Sequence, residues 1–338
     1  MNSLTQKAPS NPRVTIGLPT RNRADLLKRT IENILAQSFV DFELIVINDG
    51  STDNTADIIS AFNDQRILYF NNPPKGIPHP INEVLENARG EYIMILHDHD
   101  IFSELLIEEC INAFVNHSNA GFVMPGSAWV YEDGITGYSE MLLDLKLLNN
   151  GREFGKNMYF SNSFNSQIHA CCMVRTAAYN QIGRNYSPDF GFYSDIDVWL
   201  RLLASFDFIY VKKVLITFRT REKVNHTMFQ KDFQIESWLY SVFDRNCQKF
   251  FSGEELLVQR ERLQVKYRNK FIKLIGIYLL RDEKELLRSQ FLEFRKSMPL
   301  NQGILSCIFK LEKNFNNLFY FVGSSLAVAY RFLQTKRK

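Results

Sequence analysis

Cysteine is scarce in this sequence, and the few cysteines form no recognisable motif. There are five in 338 residues; no two stand in a Cys-x-x-Cys pair, and no histidine follows at zinc-finger spacing. A small disulfide-stapled domain and a structural zinc module are therefore excluded. The thiols are expected to be reduced and buried, in a chain long enough to fold on its hydrophobic core alone.

Long apolar runs are also missing. The start, MNSLTQKAPSNP, has neither the basic nor the apolar segment of a signal peptide, so we expect a chain that begins in the cytosol. The last apolar stretch, residues 318–330, is shorter than the about 20 residues of a transmembrane helix. Basic residues follow it, which fits either an interfacial helix or a helix buried on the protein itself. The sequence predicts a cytoplasmic protein, with a peripheral position on the inner face of the cell membrane as the alternative.

A strong overall charge is absent too, but the charge is unevenly distributed. The whole chain carries +3, whereas residues 251–338 hold 17 Lys and Arg against 8 Asp and Glu, which leaves −6 for the first 250 residues. A basic region of this kind fits anionic lipid or the solvated face of a helical domain. Nucleic-acid binding is not predicted, because this region would have to provide it alone.

The Gly-x-Gly-x-x-Gly fingerprint of dinucleotide-binding enzymes does not follow the first apolar run, which disfavours a dinucleotide oxidoreductase. The chain instead alternates short apolar runs with segments of helical periodicity. The predicted strands cover residues 14–18, 42–47, 67–70 and 92–96, and the predicted helices 26–35, 55–62 and 81–88. This alternation predicts an α/β fold with parallel strands, in which ligands bind at the carboxyl ends of the strands.

The pattern is less regular in the second half. We predict a helix at 103–114, a strand at 121–125, an irregular stretch to about 165, a helix from 194 through 203 and a strand at 208–218. Beyond residue 227 the pattern is helical and aromatic. The sequence therefore predicts an α/β domain over residues 10–228 and a helical, basic region over residues 229–338.

Four motifs form a specific combination. They are PTRNR at Pro19 to Arg23, NDGSTD at Asn48 to Asp53, GEYI at Gly90 to Ile93 and SDIDVWLR at Ser194 to Arg201. Through them the sequence resembles glycosyltransferase family 2 over residues 13–226. The resemblance implies a GT-A fold: a Rossmann-like, mixed and mostly parallel sheet flanked by helices, here followed by the C-terminal helical region.

The resemblance also implies a function. The expected enzyme is an inverting, metal-dependent glycosyltransferase of the hexosyltransferase type. It would move a sugar from a nucleotide-diphosphate donor, by default a UDP-sugar, to a hydroxyl of a saccharide or lipid-linked acceptor in cell-surface polysaccharide synthesis. The alternative is a catalytically silent relative that binds a nucleotide sugar or serves as a scaffold. Residues 229–338 would contact the acceptor, a membrane surface or a second copy of the chain.

The first two motifs are expected to bind the nucleotide sugar. In the family the loop that matches Pro19, Thr20, Arg21 and Arg23, together with Asp49, holds the nucleoside. A carboxylate suits this role because uracil offers a ring N–H donor; the alternative for Asp49 is a turn former before a glycine.

The diphosphate depends on other residues. Many relatives carry an arginine where Ile81 stands, before Asn82. Diphosphate binding would then depend on the metal with Lys75, Arg21 or Arg23, each of which is otherwise surface charge.

The loop His97 to Asp100 is the expected metal site. Asp98 and Asp100 stand at Asp-x-Asp spacing, and a bound Mg²⁺ or Mn²⁺ would neutralise the departing diphosphate. Aligned on Leu96, the histidines replace the first two aspartates of the family's Asp-x-Asp-Asp form, so Asp100 is the metal ligand in either register and Asp98 in one. His99 would contact the ribose or the metal, or fill the cleft wall, and His97 leaves the same choice.

Asp195 and Asp197 open the motif of the later helix. The resemblance assigns Asp195 as the general base for the acceptor hydroxyl, whereas its alternative role is to complement the helix dipole. Asp197 is expected to orient the acceptor or the helix. His226 falls where relatives often have an Arg-x-His segment, so it either approaches the diphosphate or metal or has no role.

Overall fold

The structure is a computed structural model that describes residues 11–131, 138–160, 171–220 and 233–280. The chain divides into two compact units, Met1–Val224 and Asn225–Lys338. The boundary expected from the sequence, between residues 228 and 229, lies close to this division.

The first unit is an α/β structure. Its strands are β1 Val14–Thr20, β2 Phe42–Asp49, β3 Ile67–Asn72, β4 Tyr92–Ile95, β5 Ile101–Phe102, β6 Phe122–Tyr131, β7 Tyr138–Met141, β8 Leu148–Asn149, β9 Met173–Arg175 and β10 Phe208–Thr220. Its helices are α1 Ala24–Leu35, α2 Thr55–Ser60, α3 His79–Asn87, α4 Leu106–Val115, α5 Gly151–Phe160, α6 Thr176–Ile182 and α7 Ser194–Ser205, with a 3₁₀ segment at Pro188–Tyr193.

The strands form one mixed sheet in the order β3-β2-β1-β4-β9-β6-β10-β5, with β7 beside β6 and β8 beside β10. The pairs β2–β3, β1–β2, β1–β4 and β6–β10 are parallel. The short β9 runs antiparallel between β4 and β6. The predicted mixed, mostly parallel sheet flanked by helices is confirmed.

The central strands are buried on both faces, which explains their continuous apolar runs. Every residue of β2 is buried, and β1 is buried except for its Pro19 position. Two buried polar residues in these strands satisfy each other, because Thr15 Oγ1 donates to Glu43 Oε1 at 2.6 Å. The amide of Gly90 donates in turn to Thr15 Oγ1 at 2.9 Å, and Arg89 forms an ion pair with Glu43. This network joins β1 and β2 to the segment that enters β4.

The prediction for residues 121–165 was largely wrong. The strand does not end at Pro125 but continues to Tyr131, and the region that was expected to be irregular contains β7, β8 and α5. Proline has no N–H for a strand ladder, and it is tolerated in sheets at bulges. Opposite Pro125 stands Val211, where the register of β10 against β6 shifts. The bulge thus allows the strand to pass through the proline.

The described part of the second unit consists of two helices, α8 Phe233–Phe250 and α9 Gly253–Leu280. They are connected by ion pairs between Lys270 and Glu236 at 2.9 Å and between Arg260 and Asp244 at 3.3 Å. Across the residues that the structure describes, no helix has the length and apolar character to cross a membrane. The apolar stretch 318–330 and the basic end of the chain lie outside the described residues.

Candidate active site

The loops after β1 and β2 meet at the carboxyl edge of the sheet, where Asn22 forms hydrogen bonds between them. Its φ of 53° lies in the left-handed region, which asparagine tolerates better than most residues. Its side-chain Oδ1 accepts from the backbone N–H of Thr52 at 2.8 Å, and its backbone N–H donates to Ser51 Oγ at 2.9 Å. Asn22 was not among the predicted site residues. Its signal was its place in the middle of the first motif, between two residues that were chosen.

Asp49 fixes a third loop to the same edge. Its carboxylate is 6% exposed and accepts the amides of Lys75 at 2.7 Å and of Gly76 at 2.9 Å, one on each oxygen. Arg21 Nη1 lies 3.9 Å from Oδ2. A carboxylate oxygen accepts more than one hydrogen bond, so both oxygens retain capacity for a ligand. Asp49 therefore does more than form the turn at Gly50.

The turn itself requires a glycine. Gly50 has a φ of +68°, and a Cβ there would lie 2.4 Å from Pro74 Cδ. The loops after β2 and β3 thus pack closely at this point.

Two of the weaker candidates bind protein atoms. Lys75 Nζ lies 2.9 Å from His79 Nε2. The amide of Asn82 accepts from the backbone N–H of Tyr186 at 2.7 Å and donates to its carbonyl at 2.9 Å. Asn82 thus connects α3 to the segment before the 3₁₀ turn by two hydrogen bonds. A role of Asn82 in donor binding remains a prediction.

The two aspartates of the Asp-x-Asp pair point in different directions. Asp100 is 3% exposed; its Oδ2 lies 3.2 Å from His97 Nδ1, its Oδ1 lies 3.7 Å from His99 Nε2, and Oδ1 accepts the backbone N–H of Arg219 at 3.1 Å. Asp98 instead accepts from Thr20 Oγ1 at 2.7 Å. It also contacts His99 Nδ1 at 3.1 Å and lies 3.8 Å from Arg23 Nε.

This arrangement fits a divalent cation. Ligand atoms of His97, His99 and Asp100 all lie within 4.8 Å of one another. A Mg²⁺-sized ion with bonds of about 2.1 Å spans ligand pairs about 3 to 4 Å apart, which matches the two imidazole-to-carboxylate distances. Asp100, the predicted metal ligand, belongs to this group of three, and its role as a ligand remains a prediction. The predicted ligand Asp98 lies outside this set, and its expected role as a ligand stays untested.

Asp195 stands in the first turn of α7. Its Oδ1 accepts the amide of Ile196 at 2.8 Å. Burial raises the pKa of this carboxyl to about 6, although that backbone hydrogen bond and the charge of His97 act in the opposite direction. A carboxyl with a pKa near neutrality is suited to take and release a proton.

The charge of His97 interacts both with Asp195 and with Asp100. Burial alone would lower the pKa of the imidazole. The hydrogen bond with Asp100 and the negative charges of Asp98 and Asp195 outweigh this, so the pKa of His97 is raised above 6.5. The two acidic motifs, almost a hundred residues apart in the sequence, thus lie close enough to affect each other's charge.

Asp197 is buried and pairs with an arginine of the same helix. It is 1% exposed and accepts from Arg201 Nε at 2.9 Å. Arg201 also donates to the carbonyl oxygens of Ile182 at 2.8 Å, Gly183 at 2.7 Å and Asn185 at 2.6 Å. Of the two expected roles of Asp197, this geometry favours orienting the helix. Arg201 was missed, although its spacing of four residues from Asp197 was visible in the sequence. His226 lies outside the described residues.

Comparisons with known proteins agree with these motifs. The family model described as Glycosyl transferase family 2 matches residues 15–183, which is half of the chain. An uncharacterized glycosyltransferase of Rickettsia typhi is 27% identical over 221 residues, covering 63% of this chain and 65% of the relative. A putative teichuronic acid biosynthesis glycosyltransferase of Bacillus subtilis is 26% identical over 57% of this chain and 72% of its own length. Chondroitin synthase of Pasteurella multocida is 32% identical over 36% of this chain but only 13% of its own length.

Solved structures of S. aureus TarS 1-349 are similar in fold. One superposes with a TM-score of 0.58 at 12% identity, over 79% of this chain and 80% of that one. The complex with UDP-GlcNAc gives a TM-score of 0.55 at 14% identity, over 79% of this chain and 80% of that one. At such identities the likeness shows the fold alone, and the predicted GT-A fold is confirmed. With its first two motifs meeting at the carboxyl edge of this sheet and half its length matched by the family model, the chain belongs to glycosyl transferase family 2.

Proposed function

We propose that this glycosyltransferase is inverting and metal-dependent, and that it moves a hexose from a UDP-sugar to a hydroxyl of a saccharide or lipid-linked acceptor in cell-surface polysaccharide synthesis. The observation that carries the proposal is that the charges of Asp195 and His97 interact, and that His97 Nδ1 lies 3.2 Å from Asp100 Oδ2 in the cluster of His97, His99 and Asp100. The names of relatives support the substrate class: chondroitin synthase, and a putative teichuronic acid biosynthesis enzyme. TarS was solved with UDP and with UDP-GlcNAc, which supports the nucleotide.

The donor would bind across the loops that follow β1 and β2. Asp49 is oriented by the two backbone N–H groups that donate to it, and its remaining acceptor capacity would accept the ring N–H of the base. Arg21 and Arg23 are partly exposed beside Asp49 and Asp98, so each has guanidinium N–H groups available for a phosphate oxygen. The fixed loops reduce the entropy that donor binding would cost.

Chemistry would occur between Asp195 and the cluster. Asp195 takes the proton of the acceptor hydroxyl as that oxygen attacks the anomeric carbon, on the face opposite the departing UDP. A divalent cation, when bound, supplies positive charge that neutralises the departing diphosphate. Asp100 is held for this task by the amide of Arg219, which fixes the carboxylate while leaving lone pairs free. A single displacement of this kind inverts the anomeric configuration.

The division of labour along the chain is part of the same proposal. Residues 10–228 would carry donor binding and catalysis. Residues 229–338 would supply contacts to the acceptor, a membrane surface or a second copy of the chain, and no nucleic acid is involved.

UDP release from a panel of UDP-sugars, with divalent metal and acceptor saccharides, tests the assignment. Asp195→Asn and Asp100→Asn are each expected to lower kcat by at least about 100-fold, the usual contribution of a general base or a charge-stabilising group. Asp57→Asn, which removes an exposed carboxylate of α2, should leave kcat unchanged.

Wild-type turnover in both site variants would reject the roles given to these carboxylates. UDP binding without turnover of any donor by the wild type would favour the catalytically silent relative instead.

A further inference from the structure

His99 is oriented by a contact with its neighbour Asp98. His99 Nδ1 lies 3.1 Å from Asp98 Oδ1. An ionised carboxylate can only accept, so the ring nitrogen must be the donor in this contact. Asp98 is itself held in place, since its other oxygen accepts from Thr20 Oγ1 at 2.7 Å and Arg23 Nε lies 3.8 Å from Oδ1. In the neutral ring the proton therefore sits on Nδ1 and the lone pair on Nε2.

That lone pair faces a carboxylate. His99 Nε2 lies 3.7 Å from Asp100 Oδ1, and no proton is left between the two atoms. Two acceptors that face each other at this distance repel, and a cation placed between them removes the repulsion. His97 adds a further nitrogen, because its Nδ1 lies 3.2 Å from the other oxygen of the same carboxylate, and a bound cation would displace the proton that these two atoms share.

The pattern around His99 is that of a metal-binding histidine. Such residues almost always donate their second ring N–H to a carboxylate or carbonyl, which fixes the ring and raises its basicity. Here Asp98 is that carboxylate, and its own position is fixed by the loop after β1. Asp98, which the sequence predicted as a metal ligand, thus orients the ligand His99 instead.

We propose that His97, His99 and Asp100 form a nitrogen-rich divalent metal site that selects Mn²⁺ and the later transition ions over Mg²⁺. The proposal rests on the proposed metal-dependent transfer, whose cation it identifies. Mg²⁺ binds oxygen ligands almost exclusively, whereas imidazole nitrogen favours transition ions, with affinity rising from Mn²⁺ to Co²⁺. Two imidazoles in place of carboxylates should therefore weaken the binding of Mg²⁺ and retain the binding of Mn²⁺ and the later transition ions.

The test is pulsed electron paramagnetic resonance of the full chain loaded with Mn²⁺ and UDP. Imidazole nitrogen bound to Mn²⁺ modulates the spin echo, and this signal requires no turnover. We expect nitrogen modulation in the wild type, and Co²⁺ should displace Mn²⁺ at lower concentration than Mg²⁺ does. The double variant His97→Asp/His99→Asp should lose the modulation, and Mg²⁺ should displace Mn²⁺ from it at least about tenfold more readily.

His117→Ala is the matched control. This histidine follows α4, contacts the carbonyl of Ala113 at 3.2 Å and precedes the amino end of β6, at the edge of the sheet away from the cluster. The variant should keep the wild-type spectrum and metal order. A second variant, Thr20→Val, removes the hydroxyl that holds Asp98, and it should weaken Mn²⁺ binding by about 10- to 100-fold without removing the nitrogen signal.

Absence of nitrogen modulation in wild-type protein that binds Mn²⁺ would overturn the proposal, as would equal competition by Mg²⁺ and Co²⁺. Sugar transfer that runs equally well with Mg²⁺ and shows no nitrogen signal would refute the metal site and leave the transferase intact. Nitrogen-coordinated Mn²⁺ in a protein that turns over no donor would support the metal site and refute the proposed transferase activity.

Discussion

Asp195→Asn separates a catalytic carboxylate from one that stabilises its helix. In the folded protein the pKa of Asp195 is raised by burial to about 6, against 3.8 for an ordinary aspartate. The folded state therefore holds this proton more tightly than the unfolded state. Ionising the carboxyl costs stability, a penalty that develops as pH rises from 3.8 and is complete once pH exceeds the folded value. A neutral amide of the same shape avoids the penalty.

The size of the effect follows from the two pKa values. A difference of about two units corresponds to about 3 kcal/mol, reached near pH 7.5, while at pH 5 the penalty is about 1.5 kcal/mol. Loss of a negative charge from the first turn of α7 opposes this gain by about 0.3 to 1 kcal/mol. Asp195→Asn is therefore expected to stabilise the metal-free protein by about 2 kcal/mol at pH 7.5 and by less at pH 5. The same variant should have lost its activity.

Urea denaturation of both proteins at pH 5 and pH 7.5, with EDTA present, measures the difference. EDTA is needed because a nearby cation would favour the ionised form and hide the penalty. Asp57→Asn serves as the exposed control and should change stability by no more than about 0.5 kcal/mol at either pH. A variant less stable than the wild type at both values would show that Asp195 supports its helix, and the argument for a base would be lost.

Two further substitutions test carboxylates of the site that form hydrogen bonds with other parts of the protein. Arg201→Leu removes the guanidinium that is paired with the buried carboxylate of Asp197 and should cost about 3 to 5 kcal/mol in the free energy of unfolding; adding Asp197→Asn should recover part of the loss. Asp49→Asn turns an amide NH₂ toward one of the two backbone N–H groups that Asp49 accepts, and it should weaken UDP binding at least about tenfold by calorimetry.

Each of these two has its own contrary result. If Arg201→Leu unfolds at the wild-type urea concentration, the buried pair does not hold the turn after α6. If Asp49→Asn binds UDP as the wild type does, the carboxylate serves only the loop that contains Lys75 and Gly76, and the base is recognised elsewhere.

The first half of the sheet was predictable because each element is long enough to show its own period. Strands β1 to β4 and helices α1 to α3 lie within a few residues of the predicted ranges. Strand β9 was not predicted. It has three residues, too few for any periodicity, and it forms because the gap between β4 and β6 has unpaired edges on both sides.

The site divides in the same way. The motifs indicated Asp49, Asp100 and Asp195 as candidates, since each lies at or beside the end of a strand or the start of a helix. The direction of each side chain in the loop after β4 depends on the backbone path, which the sequence does not contain. The contact of Asp98 with His99 and the hydrogen bonds of Asn82 with Tyr186 therefore became visible only in the structure.

The irregular register of β10 has a consequence for engineering. The strand slips twice against β6, between Val211 and Val214 and between Val214 and Ile216, before its Arg219 amide reaches Asp100. The direction of Asp100, the carboxylate proposed to hold the cation, thus depends on the number of residues between those slips and position 219. A mutant library designed to change which ion the enzyme accepts should include insertions and deletions at 211–216, a stretch that active-site-centred libraries would leave untouched.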